Sequence, residues 1–590
     1  MSIYSPIQSP PPIEEQARKP KKKPSPERRI KIILILFGVF ALVLAGQILR
    51  FYIWGEMPEK ATKQLSRKLR PRGAIVDTNG NPLAIQRFRY QIVASPYIMG
   101  PKTKKRVTQE LSPYLGMSEE ELFALLQEYS EKRDDIILHN DIGSEIGEAI
   151  KTMDITGIGV YIYPVRFHPE KNMASHVLGF VSTDNIGQYG LESYFDSFLV
   201  APTNEIHPRP TPHFEKEKIK GAETLPDSPF IPSLARRDLI LSIDRNLQYV
   251  AEKELRAGIE DYKAESGVVI IMDPKTSAVL AMAGYPDYNP DDISQVTSDD
   301  VYINPAISKI YEPGSVFKLI TFAAALNEGI ITPQTKYNDT DEFTYYQQTV
   351  QNWDRKGRGI VTAQQALAQS LNVTTAQIAA DLGEENFYKA VARFGFGVNT
   401  GIDLAYEVSG IVHTPNKPGW VPGYLVTNSF GQAISVTPLQ MANAVAAIAS
   451  GGVLHRPHTV RMVINGDVAR VKEPEPVSRA ITAKTANTLT QMMIAAAEHT
   501  EEATIPGYAI AGKTGTAEIP GMGGYKEDRT IATFVGFFPA DDPQFLVFVK
   551  LERPKTSAWA SQTAAPVFRN IAQTIINMYG IPPDDIRNTP

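Results

Sequence analysis

The chain has 590 residues, 43% of them hydrophobic and 21% charged, which is ordinary for a globular protein of about three or four domain-sized units. A net charge of −5 argues against a nucleic-acid binder. The chain contains no cysteine, and this excludes disulfides, a thiol nucleophile and cysteine-ligated metals. Its nine histidines show no metal-binding spacing such as H-E-x-x-H, so no metal site is predicted.

The N-terminal part predicts a membrane tether. Residues 1–31 are basic and proline-rich, which predicts a disordered segment. The next eighteen residues, Ile32–Leu49, include one polar side chain and could span about 27 Å as a helix. Because lysine and arginine crowd the N-terminal side, we expect a single transmembrane helix over residues 32–53, with the N-terminus cytoplasmic and the rest exported. A signal peptide cleaved after Ala45 and a buried core helix are the alternatives.

Residues 55–235 predict an N-terminal domain of mixed strands and helices. The stretch RGAIVDTNGNPLA, Arg72–Ala84, has the pattern of two strands joined by an Asn-Gly turn. The stretch SEEELFALLQEYSEK, Ser118–Lys132, has helical periodicity behind an N-capping serine. Residues 201–236 hold many prolines and charges, which indicates a long hairpin or an exposed connection.

Residues 236–580 predict a second domain, followed by a polar tail over residues 581–590. Its first part has a strand and an amphipathic helix within Asp238–Tyr262, and then an apolar hairpin within Gly267–Gly284. Three more strand patterns and a closing amphipathic helix follow a mostly helical stretch: Tyr508–Ile519, Arg529–Ala540, Phe545–Pro554 and Ser561–Gly580. This order predicts an α/β (α+β) domain with a five-stranded antiparallel sheet and a helical insert.

Three short motifs carry the chemistry. S-x-x-K occurs once, at Ser315–Lys318; S-x-N occurs once, at Ser370–Asn372; and K-[ST]-G occurs once, at Lys513–Gly515. Taken singly, they could be a solvated lysine at a helix start, an N-capping serine and a threonine that favours a strand. Together and in this order, they predict a serine nucleophile beside a lysine base.

The same motifs resemble the active-site elements of penicillin-binding proteins and β-lactamases, and Ser-Leu-Asn in place of Ser-Asp-Asn points away from class A β-lactamases. The resemblance extends from Ile32 to about Gly580. Further stretches resemble the signatures of class B penicillin-binding proteins, including two motifs of the N-terminal pedestal domain: Arg72–Ala84, His176–Val181, Tyr189–Asp196 and Ser429–Ala442. The resemblance implies a transpeptidase fold preceded by an N-terminal pedestal, or dimerisation-like, domain.

Each motif residue has a predicted role. Ser315 is the nucleophile, and Lys318 is its base if burial and the charge of Lys513 keep it neutral. Ser370 would relay a proton, and Asn372 would orient the lysine and the substrate amide. The K-T-G strand would bind the substrate's terminal carboxylate through Lys513, Thr514 and Thr516, and Gly515 would let the substrate approach the strand edge. The resemblance places an oxyanion hole at the N–H groups of Ser315 and Thr516.

The resemblance implies a peptidoglycan D,D-transpeptidase of bacterial cell-wall elongation or division, located in the cell (inner) membrane with its catalytic domain extracytoplasmic. The substrates would be peptidoglycan stem peptides, β-lactams would acylate Ser315, and no cofactor is required. The implied partner is a multi-pass SEDS-family glycan polymerase. The alternatives are a D,D-carboxypeptidase or β-lactamase, in which water deacylates the serine, and a non-catalytic β-lactam-sensing receptor. Trp353 is not assigned to the cleft, because a loop tryptophan more often packs on its own domain.

Overall fold

The computed structural model describes residues 38, 70–201, 233, 235–415, 417–521 and 524–587, without the side chains of residues 520–529. The predicted cytoplasmic segment, all but one residue of the predicted transmembrane helix and nearly all of the 201–236 connection lie outside the described residues. Within the described ranges, no helix is both long and apolar enough to cross a membrane. The described residues from 70 to 587 belong to one compact unit.

The N-terminal region confirms both of its sequence predictions. Ile75–Val76 pairs antiparallel with the strand that begins at Pro82, and the Asp77 carboxylate closes the turn between them by accepting from the amides of Asn79 and Asn81. Ser118 and Glu121 form a capping box at the start of the predicted helix. The elements are β1 (Ile75–Val76), β2 (Pro82–Ala94), α1 (Pro101–Leu115), α2 (Glu119–Lys132), β3 (Ile136–Ile142), α3 (Ser144–Thr152), β4 (Ile158–Phe167), α4 (Ser175–Leu178), β5 (Phe180–Val181), β6 (Gly187–Gln188), α5 (Gly190–Tyr194) and α6 (Asp196–Leu199).

The catalytic region follows in a longer series of elements. These are β7 (Leu239–Leu241), α7 (Arg245–Tyr262), β8 (Ser266–Asp273), β9 (Ala278–Tyr285), α8 (Pro305–Ser308), α9 (Lys318–Asn327), β10 (Lys336–Asp339), β11 (Glu342–Tyr345), β12 (Gln348–Gln351), β13 (Gly359–Thr362), α10 (Ala363–Ala368), α11 (Asn372–Leu382), α12 (Glu384–Arg393), α13 (Gly423–Ser429), α14 (Pro438–Ala449), β14 (Val453–His455), β15 (Val460–Asn465), β16 (Val468–Val471), β17 (Pro476–Arg479), α15 (Ala483–Glu498), β18 (Ala511–Gly521), β19 (Gly524–Phe538), β20 (Phe545–Glu552), α16 (Ala564–Tyr579) and α17 (Asp584–Arg587).

The predicted five-stranded antiparallel sheet is confirmed, with strand order β18-β19-β20-β8-β9. Two separate apolar clusters cover its two faces. One contains side chains of α7 and α16, and the other contains side chains of α9, α14 and the rest of the helical insert. Strand β18 lies at the sheet edge, so one side of this strand is open to the insert.

A second sheet joins the two regions. Its strand order is β16-β15-β7-β1-β2-β3, with β4 also paired to β2. Strand β7 of the catalytic region runs parallel to β1 of the N-terminal region. The predicted boundary near residue 235 therefore separates two regions that share backbone hydrogen bonds.

The pedestal motifs meet in a buried ionic cluster. Glu192, which is fully buried, accepts from Arg72 Nε and from Arg166 Nε, both at 2.6 Å, and Arg72 also pairs with Asp196 at 2.9 Å. Burial opposes ionisation of Glu192, but the charges of Arg166 and Arg72 outweigh it and lower the pKa of this carboxyl. A buried charge without a partner would destabilise the fold, so each of these charged residues requires the others to be buried.

Candidate active site

The nucleophile candidate lies in a tight turn rather than within an α-helix. Gly314–Phe317 form a single 3₁₀ turn, and helix α9 begins directly after it at Lys318. The Ser315 side chain is partly exposed, whereas Lys318 is fully buried. The Ser315 hydroxyl makes no hydrogen bond to any residue that the structure describes. It is thus accessible to a substrate, and the buried lysine is the first residue of the helix that follows the turn.

The Ser429–Ala442 stretch supports this turn. The amide of Gly314 donates to the Gly431 carbonyl at 3.0 Å, and Thr321 Oγ1 donates to the Ser429 carbonyl at 2.7 Å. Gly431 has a φ of 81°, and a Cβ atom there would lie 2.2 Å from the Gly314 carbonyl oxygen. Only glycine fits this close approach, which explains the Ser-Phe-Gly-Gln sequence next to the nucleophile.

The S-x-N motif lies on the facing wall. Ser370 follows helix α10 with a φ of 57°, a left-handed conformation that costs a non-glycine residue of order 1 kcal/mol. Asn372 is the first residue of α11, and its amide donates to the Asn352 side chain at 2.8 Å. Asn352 in turn donates to the buried Asp339 carboxylate at 2.7 Å. Asn372 is thereby fixed by two polar side chains that precede it by 20 residues or more.

We expect Asp339→Ala to weaken both stability and acylation. The Asp339 carboxylate also accepts from the Thr374 amide and hydroxyl and from the Arg358 amide, so its loss leaves several buried donors unpaired. The expected loss is about 3 kcal/mol in the free energy of unfolding and roughly tenfold in the rate of acylation by penicillin. Urea unfolding and stopped-flow acylation measure the two. Asp341→Ala, an exposed acceptor for one amide, is the control and should change neither; equal losses in both variants would refute the role of Asp339.

Two lysines and a serine form the centre of the site. Lys318 Nζ donates to the Ser370 carbonyl oxygen and lies 3.3 Å from Ser370 Oγ. Lys513 Nζ, on β18, donates to the same Ser370 Oγ at 3.0 Å. The structure thus joins Lys318, Ser370 and Lys513 by hydrogen bonds, and Ser315 and Ser370 line the same cavity. The Ser370 hydroxyl bridges two amines and is placed to pass a proton between them.

Both lysines are driven toward the neutral form. The pKa of Lys318 falls well below its usual range because the side chain is buried and because Lys513 carries a nearby positive charge, which outweighs the opposing effect of Asp339. Burial lowers the pKa of Lys513 to about 7. Burial and the charge of Lys513 are also the two causes that the sequence analysis names for Lys318. A neutral Lys318 has a free lone pair and can accept a proton from a serine hydroxyl.

The Lys513 shift predicts a pH dependence of stability. An unfolded lysine has a pKa near 10.4, so between about pH 7 and pH 10.4 the unfolded state binds a proton that the folded state does not, and stability rises with pH. Between pH 7 and 8.5 the expected gain is about 2 kcal/mol in the free energy of unfolding. Urea unfolding should show a rise with pH that is larger in the wild type than in Lys513→Met by about this amount, because the lowered pKa values of Lys318 and Lys550 contribute to both proteins. Parallel pH profiles would contradict the assignment.

The K-T-G strand presents two hydroxyls to the cleft. Thr514 Oγ1 accepts from Lys513 Nζ at 3.4 Å, and Thr516 Oγ1 accepts from the Ala560 amide at 3.2 Å. Each hydroxyl therefore has its own proton free to donate to an anion. A Cβ atom on Gly515 would lie 3.0 Å from the Pro313 carbonyl oxygen. The segment that packs closely against this glycine is therefore the one that leads into the Ser315 turn.

The predicted contact of Asn372 with Lys318 is not present among the hydrogen bonds of the described residues. Asn372 Nδ2 instead donates to the Gln351 carbonyl at 3.1 Å, next to the cleft wall. A role toward the substrate amide stays a prediction. Among the described residues, no group of three or more histidine, aspartate or glutamate side chains could hold a metal ion.

One cavity of about 410 Å³ connects these groups. Trp353 lines it and is 60% exposed, so its omission from the predicted cleft was wrong. Its ring meets Trp559 from the opposite wall in a T-shaped contact with centroids 5.0 Å apart. Sequence analysis also missed the supporting pair Asp339 and Asn352, and no sequence pattern marks them, since their role depends on contacts across the insert. The lining residues are Gly314, Ser315, Trp353, Ala368, Gln369, Ser370, Asn372, Phe430, Gln432, His499, Thr500, Thr514, Thr516, Ala517, Trp559, Ala560, Ser561 and Gln562.

The antiparallel sheet, its helical insert and the three motifs around one cleft define the catalytic domain of a penicillin-binding protein. The penicillin-binding protein transpeptidase domain matches residues 267–573, and the penicillin-binding protein dimerisation domain matches residues 68–205. The chain belongs to the class B penicillin-binding proteins.

Named relatives and solved structures agree with this assignment. The chain is 30% identical to stage V sporulation protein D of Bacillus subtilis over 94% of this chain and 86% of that protein, and 29% identical to peptidoglycan D,D-transpeptidase FtsI of Escherichia coli over 90% and 87%. It shares its fold with penicillin-binding protein 2X of Streptococcus thermophilus, with a TM-score of 0.74 and 22% identity over 87% of this chain and 80% of that chain. Penicillin-binding protein 3 of Mycobacterium tuberculosis, complexed with aztreonam, matches with a TM-score of 0.66 and 23% identity over 88% and 98%.

Proposed function

We propose that this protein is a peptidoglycan D,D-transpeptidase that cross-links stem peptides through an acyl-Ser315 intermediate. The observation that carries the proposal is the buried Lys318, held toward its neutral form and bridged through Ser370 to Lys513, beside the accessible Ser315. This arrangement supplies a base for the serine within a water-accessible cleft.

In the first half-reaction, Ser315 Oγ attacks the carbonyl carbon of the penultimate D-alanine and its proton passes to Lys318. The carbon–nitrogen bond to the terminal D-alanine then breaks, and Ser370 relays the proton from Lys318 to the leaving amine. The backbone N–H groups of Ser315 and Thr516 are the proposed oxyanion hole, where each donor contributes about 3 kcal/mol to the transition state. Asn372 is proposed to orient the substrate amide.

In the second half-reaction, the amine of a neighbouring stem peptide attacks the acyl-serine ester. A new amide bond forms, the ester bond breaks, and the proton lost by the amine returns through Lys318 to Ser315 Oγ. The Thr514 and Thr516 hydroxyls, whose protons are free, hold the donor carboxylate before it departs. A β-lactam would occupy the donor position and leave Ser315 acylated, which agrees with the β-lactam complex of the M. tuberculosis relative.

The cellular setting belongs to the same proposal. Residues 32–53 would anchor the protein in a bacterial cell (inner) membrane as a single span, with the catalytic domain extracytoplasmic. Cross-linking acts on a glycan strand, so we propose a SEDS-family polymerase as partner, in elongation or division. The pairing of β1 with β7 connects the pedestal to the catalytic region by backbone hydrogen bonds, through which a partner would act.

The test is a reconstituted cross-linking assay with the full-length protein in detergent. Polymerised peptidoglycan strands with pentapeptide stems serve as donor and acceptor, and mass spectrometry follows cross-linked dimers and released D-alanine. The proposal expects dimers and D-alanine in equal amounts, and neither with Ser315→Ala. D-alanine without dimers would indicate a D,D-carboxypeptidase, and rapid penicillin turnover would indicate a β-lactamase. A stable penicillin adduct without either product would indicate a receptor.

A further inference from the structure

The cavity beside Ser315 contains a histidine that the proposed mechanism does not use. Of the residues that line the cavity, His499 alone has an ionisable side chain. Lys318 and Lys513 lie beneath the cavity surface, at 0% and 2% exposure, whereas His499 is exposed. Its imidazole makes no hydrogen bond to any residue in the described part of the chain. It is therefore free to bind a ligand in the cleft.

The chain path places His499 on the Thr514 and Thr516 side of the cavity. His499 directly follows helix α15, which packs against β18, the strand that carries both threonines. The next turn, Glu501–Ala503, contacts the turn Ala560–Gln562. The first amide of that second turn donates to Thr516 Oγ1. The histidine thus shares one end of the cleft with the two hydroxyls.

This end of the cleft has the donors that an anion requires. The Thr514 and Thr516 oxygens already accept from Lys513 and from the Ala560 amide, so their protons are available to a further acceptor. An imidazole has at least one N–H in either tautomer and in either charge state. A carboxylate between these groups would receive several charge-assisted hydrogen bonds, which are stronger than neutral ones.

We propose that His499 is a substrate-binding residue that donates a hydrogen bond to the terminal carboxylate of the donor stem peptide and to the carboxylate of β-lactams. The inference rests on the proposed function and extends it to the recognition of the leaving D-alanine. It makes the site selective for stems that end in a free carboxylate over esters or amides of the same stems. His499 takes no part in proton transfer to or from Ser315.

The test compares two ligands that differ only in the carboxylate. Second-order acylation rates of the full-length protein are measured with benzylpenicillin and with its methyl ester. We expect His499→Ala to slow acylation by the acid about tenfold and by the ester less than twofold. His499→Gln, which keeps a neutral N–H donor, should recover most of the acid rate. Glu498→Ala, at the adjacent exposed position that does not line the cavity, is the control and should change neither rate.

An equal loss with acid and ester in His499→Ala would assign the residue a structural role and overturn the inference, while leaving the proposed function intact. Absence of acylation in the wild type would instead overturn the proposed function. In that case, saturation-transfer NMR with N-acetyl-D-alanyl-D-alanine and its methyl ester tests His499 independently. Carboxylate-dependent binding that is lost in His499→Ala supports the inference, and unchanged binding refutes it.

Discussion

Replacing Ser315 with alanine is expected to abolish covalent labelling by a fluorescent penicillin. The hydroxyl is the only part of the residue that the variant loses, and without it no ester can form between protein and ligand. The expected fall in the second-order labelling rate is at least about 10⁴-fold, the scale seen when a catalytic nucleophile is removed. Gel fluorescence measures the rate, and mass mapping of the wild-type adduct should locate it on Ser315.

Ser561→Ala provides a matched control for this substitution. Ser561 lines the same cavity, and its side chain has no role in the proposed mechanism. Labelling of this variant should stay within about twofold of the wild type. If Ser315→Ala retained labelling, or if Ser561→Ala lost it to the same degree, Ser315 would not be the nucleophile. Equal melting temperatures in the three proteins exclude unfolding as the cause.

Much of this site could be predicted from the sequence because its chemistry is local in the chain. Ser315 and Lys318 are three residues apart, Ser370 and Asn372 two apart, and Lys513–Gly515 are consecutive. The sheet was also predictable, since β8 and β9 are apolar runs joined by a tight turn and β18 to β20 repeat that pattern. The sequence could even indicate why the pKa of Lys318 is lowered, because its apolar helix implies burial.

The remaining features depend on contacts between distant segments. Asp339 and Asn352 fix Asn372 and Thr374 across 20 to 35 residues, and neither has a distinctive sequence context. Trp353 lines the cleft and contacts Trp559, which lies more than 200 residues away in the sequence. The pairing of β7 with β1 likewise joins two segments that the sequence assigns to different domains. Such contacts come from tertiary packing, on which local pattern and propensity carry no information.

The proposed chemistry requires local backbone strain and a buried lysine at the site. Ser370 holds a left-handed conformation, and in it the carbonyl and hydroxyl oxygens both face Lys318. A fully buried lysine costs stability unless it is neutral. The large apolar core around α9 offsets both the strain at Ser370 and the burial of Lys318. The burial that costs stability at Lys318 is therefore the same burial that lets this lysine act as a base in the proposed reaction.

Replacing Lys318 with methionine is expected to separate catalysis from stability. Methionine has a similar volume and no proton-accepting nitrogen, so the Ser315 hydroxyl loses its base. Acylation by penicillin should fall about 10³-fold, within the range of general-base contributions. Because the lysine is buried and held toward its neutral form, its replacement by an apolar side chain should leave the free energy of unfolding within about 1 kcal/mol or raise it. Stopped-flow acylation and urea unfolding measure the two effects.

Lys550→Met is the matched control, because Lys550 is another buried lysine whose pKa is lowered by burial. It lies on β20, two strands from β18, and pairs with Glu552 at 2.8 Å rather than with the cleft. Its replacement should leave the acylation rate within about twofold. A small effect of Lys318→Met on acylation would show that another group deprotonates Ser315. A large loss in both variants would show that buried lysines in this domain act through the fold, and the assignment of Lys318 as the base would then fail.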